Sequence, residues 1–369
     1  MITSSGLDRE NRGVATPLSE DQLAALAQEA QKHGNPLVRR KAFNRLLAAL
    51  TPENAKAIRE MLTDGGVKGD QWRDFNYAWG TIDGRAAVEN AMTSPERDLA
   101  STMAGFASAH PQEARKYLET LPDDVKTDRT LMRQSLVSGM ADRDVGLATD
   151  YVYDLARQGD ERAADLLEVV SRKLLRNGGL DRAIEWSENL PDGDLKGAAM
   201  DRVADRYVDQ NPEGAAAWAE QFVGESYARR VIEEVGDEWA ERDPVAAVNW
   251  LESLPAGGGQ NAGLNAAFIE WAARDPSAAG DRIAGMTRSS QRDFAINGYS
   301  AGISRRDPVA AISWANSIAQ DSLRNSALTQ AGQALFRRDS EAARSWVVSS
   351  GLPPEAQKAV LNPPRRRRR

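Results

Sequence analysis

The sequence predicts an all-α fold, a right-handed α-solenoid of about ten to eleven stacked helical hairpins. Three observations lead there: an internal period of 32 residues, fixed columns of alanine and tryptophan within that period, and a near absence of strand signals. The phrase Asp243-Pro244-Val245-Ala246-Ala247-Val248-Asn249-Trp250 returns as Asp307-Pro308-Val309-Ala310-Ala311-Ile312-Ser313-Trp314, two periods further on. A recurrence at fixed spacing is the signature of a repeat architecture, in which each unit buries its apolar face against the next. Taking the position of Pro244 as an anchor gives ten units, at Pro52, Gly84, Pro111, Val145, Leu180, Pro212, Pro244, Pro276, Pro308 and Ser340. The last five steps are each 32 residues and the earlier ones are irregular.

The elements follow in order from this register. Ser19 caps a first helix, with Gln22 completing a capping box and Leu18 and Leu23 placed as a staple, and Pro36 to Leu50 supplies its partner. Thereafter each anchor opens a helix. The residue before it is Thr, Asp or Asn in eight of ten units, side chains that accept from the free N–H groups of a first turn. Proline at the anchor suits the next position, where no N–H is required. Three residues after the anchor comes alanine in all ten units, and six after it come Trp186, Trp218, Trp250, Trp314 and Trp346, with Tyr117 and Tyr151 in irregular units. Spacings of three and four keep these residues on one helix face. The first helix ends at Leu-Pro or a glycine-rich turn, as at Leu254-Pro255. A longer second helix then carries apolar residues twelve and five before the next anchor, such as Leu264 and Trp271, two turns apart on one stripe. The expected organisation is a disordered segment over 1–17, a repeat domain over 18–361 and a disordered arginine tail over 362–369. With layers ~8–10 Å apart, ten hairpins make a curved rod on the order of 90 Å long.

Ala-x-x-Trp on a first helix, a turn, and a longer second helix resemble the tetratricopeptide and Sel1-like helical-hairpin solenoids, over roughly Leu18 to Leu361. The resemblance is to the architecture: the tetratricopeptide Leu-Gly and later Tyr after the tryptophan are missing here, and 32 is shorter than that family's period. It implies a protein-binding scaffold and transfers no individual ligand contact.

Composition narrows the chemistry. The 369 residues hold no cysteine and two histidines, His33 and His110. That excludes disulfides, thiol nucleophiles and cysteine-ligated metals, and leaves little for a multi-histidine site or a histidine-based triad. No cofactor is expected. No run approaches the ~18 apolar residues of a membrane span, and residues 1–10 lack the pattern of a leader. The expected location is cytoplasmic, or exported where a leader has been removed. The formal charge is −7 and is unevenly spread: residues 144–242 carry 23 acidic and 12 basic groups, whereas 243–369 reach +5 only through Arg365, Arg366, Arg367, Arg368 and Arg369. An array that reads RNA base by base needs a basic groove, so sequence-specific nucleic-acid recognition by the repeats is rejected.

The candidate sites are few. Arg242, Arg274, Arg306 and Arg338 each precede a capping Asp at 32-residue spacing, with Arg143 doing the same earlier. They read either as helix C-terminal cations or as a row of forks for the carboxylates of an acidic partner. Arg282 stands where neighbouring units have Trp250 and Trp314, in a unit rich in glycine. There Ile283 and Met286 take over the packing, or the unit forms a softened joint or binding notch. Glu233, Glu234, Asp237 and Glu238 read as a solvated acidic face, with metal or acid–base work as the sharper reading. His110 reads as a cap, and His33 as a helix C-terminal cation. The tryptophans read as core, with sugar stacking as the alternative. The sequence thus predicts a non-enzymatic scaffold or adaptor for a protein or peptide. The first alternative is an enzyme or glycan-binding protein using acidic and aromatic residues of a concave face. The second is a tether to RNA or another anionic surface through the terminal arginines.

Overall fold

The computed structural model describes residues 18–93, 98–121 and 126–364, and every regular element among them is a helix. Residues 1–17 and Arg365–Arg369 lie outside the described residues. The chain divides into two compact units, residues 1–173 and 174–369, with the division inside the tenth helix.

In the first unit the order is α1 (Glu20–Lys32), α2 (Pro36–Ala48), α3 (Ala55–Asp64), α4 (Asp70–Ile82), α5 (Gly84–Thr93), α6 (Leu99–Ala109), α7 (Pro111–Thr120), α8 (Lys126–Arg143), α9 (Val145–Arg157) and the start of α10 (Ala163–Gly178). The second holds α11 (Leu180–Glu188), α12 (Asp194–Gln210), α13 (Pro212–Glu220), α14 (Ala228–Ala240), α15 (Pro244–Ser253), α16 (Gly258–Arg274), α17 (Pro276–Gly285), α18 (Ser290–Ile303), α19 (Pro308–Ala315), α20 (Asp321–Arg338), α21 (Ser340–Ser349) and α22 (Pro354–Leu361). Every anchor from Gly84 onward is the first residue of its helix. Only the earliest differs: Pro52 lies in a turn and α3 begins at Ala55, because Asn54 caps Thr51 through paired side-chain bonds of 2.8 and 3.3 Å.

The capping logic is realised at Asp144, Asn211, Asp243, Asp275, Asp307 and Asp339, whose side chains accept from N–H groups two or three residues on, at 2.7–3.2 Å. Ser19 and Gln22 form the expected reciprocal box. His110 departs from expectation: it occupies the N-cap of α7 but makes no side-chain cap bond. His33 is the C-cap of α1, and its Nδ1 accepts the Asn35 N–H at 3.1 Å.

The alanine column explains how the helices come together. All ten, from Ala55 to Ala343, are completely buried, since only a methyl group fits where first and second helices press closest. Five residues before the anchor, Trp79, Phe106, Met140, Trp239, Trp271, Ile303 and Leu335 are buried; twelve before it, so are Trp72, Leu99, Met200, Ile232, Leu264, Ile296 and Leu328. The nearer of these columns meets the +6 column of the helix that follows at three places. Tyr207 lies 6.0 Å from Trp218, Trp239 6.0 Å from Trp250, and Phe106 6.1 Å from Tyr117, ring centre to ring centre, within the favourable range for aromatic pairs.

Successive second helices pack directly on one another: α4 on α6 and α6 on α8 in the first unit, and α12 on α14, α14 on α16, α16 on α18 and α18 on α20 in the second. Glycine brings their backbones close. A Cβ at Gly105 would overlap the Tyr77 carbonyl oxygen, one at Gly139 that of Ala104, and one at Gly298 that of Asn265. No described helix is long and apolar enough to cross a membrane.

Candidate functional site

Each member of the arginine row faces the same environment one layer back. Arg143 donates to the carbonyls of Ser108 and Ala109 at 3.3 and 3.1 Å, and Arg242 to those of Val208 and Asp209 at 3.2 and 3.0 Å, with an ion pair to the Asp209 carboxylate. Arg274 donates to Ala240 and Glu241, Arg306 to Ala273 at 3.3 Å, and Arg338 to Arg306 at 2.8 Å. These acceptors are the unsatisfied carbonyls at the end of the preceding second helix, where a guanidinium also complements the helix dipole. The row is therefore a set of clasps between neighbouring layers. The guanidiniums lie at the surface but are engaged within the chain.

The tryptophan column carries a partner that the sequence reading did not pair with it. Trp218 donates its indole N–H to Glu188 at 2.7 Å, and Trp250 to Glu220 at 2.9 Å. Both glutamates lie eight residues after their anchors, a column continued by Glu252. Arg282, in the tryptophan position of the next layer, makes an ion pair with that same Glu252 and a 2.9 Å bond to Asn249. Ile283 is fully buried beside it, as expected for a helix that packs through its neighbour. Two of the four glycines of this layer mark close approach, since a Cβ at Gly298 or Gly302 would strike the backbone of α16, whereas Gly280 and Gly285 meet no backbone. Six of the nine tryptophans are buried and Trp186, Trp314 and Trp346 are half-buried.

The most distinctive electrostatic feature is on the second helices. Asp201, Asp205 and Asp209 of α12 face Glu233, Glu234, Asp237 and Glu238 of α14, with Glu270 of α16 beyond them. Asp205 is paired with Arg202 at 2.6 Å and Asp209 with Arg206 at 3.6 Å, whereas Glu234 and Glu238 have no cationic partner among the described residues. Burial, reinforced by the charges of Asp201, Glu238, Asp205 and Asp237, pushes the Glu234 carboxyl up to about 8. Burial likewise raises Asp201 to about 6, offset in part by Arg230, and Asp237 to about 6, helped by Glu270 and Glu241. Glu238 is raised by the same two causes. Like charges crowded in a partly desolvated site disfavour their own ionised forms. Carboxylate oxygens of Asp205, Glu234 and Glu238 lie within 4.8 Å of one another, a spacing that one oxygen-seeking divalent cation can span.

The sequence reading had Glu233, Glu234, Asp237 and Glu238 as one helix face. What it lacked was Asp201, Asp205 and Glu270. Their signal was present in the period: Asp201 and Glu233 share a column, as do Asp205 and Asp237. No family model, characterised protein or solved structure compared with the chain matches it.

Proposed function

We propose that the protein is a non-enzymatic scaffold. In this reading the hairpins of each unit wind as a stretch of right-handed α-solenoid in the manner of tetratricopeptide and Sel1-like repeats, and the second helices of residues 174–369 hold a basic protein or peptide. What supports it is that within residues 174–369 successive second helices pack directly on one another, as a row on the inner side of such an array would. The observation that carries the reading is the acidic face over α12, α14 and α16. Crowded carboxylates with raised proton affinity, of which Glu234 and Glu238 have no cationic partner among the described residues, are an electrostatic cost that lysine or arginine side chains of a partner relieve, and complementarity of this kind governs specificity and association rate.

The test is calorimetric titration with an alternating lysine–alanine peptide at low and high salt, using protein without Arg365–Arg369 so that the tail cannot compete. The expected result is salt-sensitive binding that falls at least ~10-fold in Glu234→Gln/Glu238→Gln protein of unchanged helix content. Equal binding by the double variant rejects the reading. A calcium titration run beside it distinguishes a metal site: saturable calcium binding that blocks the peptide replaces the peptide reading with a cation-binding one.

A further inference from the structure

The chain carries a basic peptide of its own. Arg365–Arg369 are five consecutive arginines, and without them residues 243–369 are neutral. The acid that could answer them is confined to two adjoining layers. In the column of Asp201 and Glu233 the layer before has Val169 and the layers after have Asn265, Asn297 and Thr329; in that of Asp205 and Asp237 they are Lys173, then Ile269, Ala301 and Gln333. Across the junction of α12 and α14, Asp201, Asp205 and Asp209 bear electrostatically on Glu233, Glu234, Asp237 and Glu238. Arg202, Arg206, Arg230 and Arg242 offset part of this charge, and Glu234 and Glu238 keep no cationic partner among the described residues.

Band and block agree in size. From Asp201 to Asp209 helix α12 rises ~12 Å, with a carboxylate about every 6 Å. Carboxylate oxygens of Asp205, Glu234 and Glu238 lie within 4.8 Å of one another, so the acids of both helices form a single band. Five residues of extended chain run ~13 Å from first Cα to last, and side chains on one side of it recur about every 7 Å. Arginine suits such a seat, because its planar fork holds a carboxylate through two parallel N–H groups. One chain cannot make this match with itself. Helix α22 packs on α20, and α20, α18, α16 and α14 follow one another in a row. At ~8–10 Å per step, α14 is ~32–40 Å from α22 and α12 one step further. Beyond Leu361 a fully extended backbone reaches only ~22 Å at Arg367 and ~29 Å at Arg369. The block of a given copy therefore falls short of that copy's own band.

We infer that Arg365–Arg369 of one copy occupy the acidic face of α12 and α14 in a second copy, so that the protein is its own basic partner. The inference rests on the reading of this face as a seat for basic peptide, and names the peptide. The experiment pairs two complementary variants. One lacks Arg365–Arg369 and keeps the face; the other, Glu234→Gln/Glu238→Gln, keeps the block beside a weakened face. Sedimentation velocity is run at low salt and pH 8.5, above the raised carboxyl values. The unaltered chain should associate reversibly as its concentration rises, and each variant alone at least ~10-fold more weakly. An equimolar mixture of the two variants should form a 1:1 complex with about the unaltered affinity. All association should disperse in 1 M salt, where the screening length is ~3 Å. The inference is overturned if the unaltered chain stays monomeric throughout, if the shortened chain associates as strongly as the unaltered one, or if the mixture forms no complex. Should the shortened chain bind the lysine–alanine peptide while the mixture forms no complex, the face serves a foreign basic partner: this inference falls and the scaffold reading stands. Failure of the shortened chain to bind that peptide is the separate failure of the scaffold reading.

Discussion

At the scale of single residues, identity in this chain is set by the distance to the neighbouring layer. Gly298 and Gly285 make the contrast. A Cβ at Gly298 would overlap the Asn265 carbonyl oxygen, whereas at Gly285, the last residue of α17, nothing lies within 4 Å. Gly298→Ala should therefore destabilise by about 2 kcal/mol or more through displacement of α18 from α16. Gly285→Ala should be neutral or stabilise by up to about 1 kcal/mol through helix propensity alone. Urea denaturation of both variants decides the matter, and equal effects would contradict close packing at Gly298. The alanine and tryptophan columns were legible because burial selects residue type directly. The clasp partners of Arg242, Arg274, Arg306 and Arg338 were not, because a backbone carbonyl leaves no mark in a sequence. The indole–glutamate bonds lay between: both columns were present, but pairing them required knowing which layers touch.

At the scale of elements, α12 and α14 meet through carboxylates, and this gives the protein a definite response to pH. Glu234 is raised to about 8 in the folded chain against an ordinary value near 4.5, and Asp201 and Asp237 to about 6. In the interval between the two values the folded form holds a proton that the unfolded form has released, so stability falls as pH rises. The gain is complete below the unfolded values and lost as pH climbs through about 6 and then about 8. Thermal melts should accordingly show a higher midpoint at pH 5.5 than at pH 8.5. Glu234→Gln should flatten that dependence and stabilise the protein at pH 8.5 by on the order of 1–2 kcal/mol, after discounting for partial exposure. A midpoint that rises with pH would contradict the crowding of these groups. The sequence exposed half of this site, the four acids of α14. The other half came from α12 and α16, whose positions relative to α14 depend on helix rotation, which periodicity gives only coarsely.

At the scale of the whole molecule, the helical fold and its register were readable from one end of the regular repeats to the other, and weakest before Val145, where the steps between anchors vary. Contacts that leave a helix go chiefly to the same hairpin or to the next, with the longer-range hydrogen bonds closing over some 30–35 residues. A chain held together by near neighbours loses the all-or-none character of a globule. Differential scanning calorimetry should give a van't Hoff enthalpy clearly below the calorimetric one; equality of the two would mean that the layers melt as a single block.

The clasping arginines carry one further consequence. Because Arg274, Arg306 and Arg338 each reach back by about one period to carbonyls near the helix end before them, the joint between these layers is a similar fitting each time. Excising or duplicating one whole period would bring a similar fitting to the new junction, while an insertion of half a period would leave a guanidinium out of step with its carbonyls. Length in this protein is accordingly quantised: the chain can grow or shrink by complete modules.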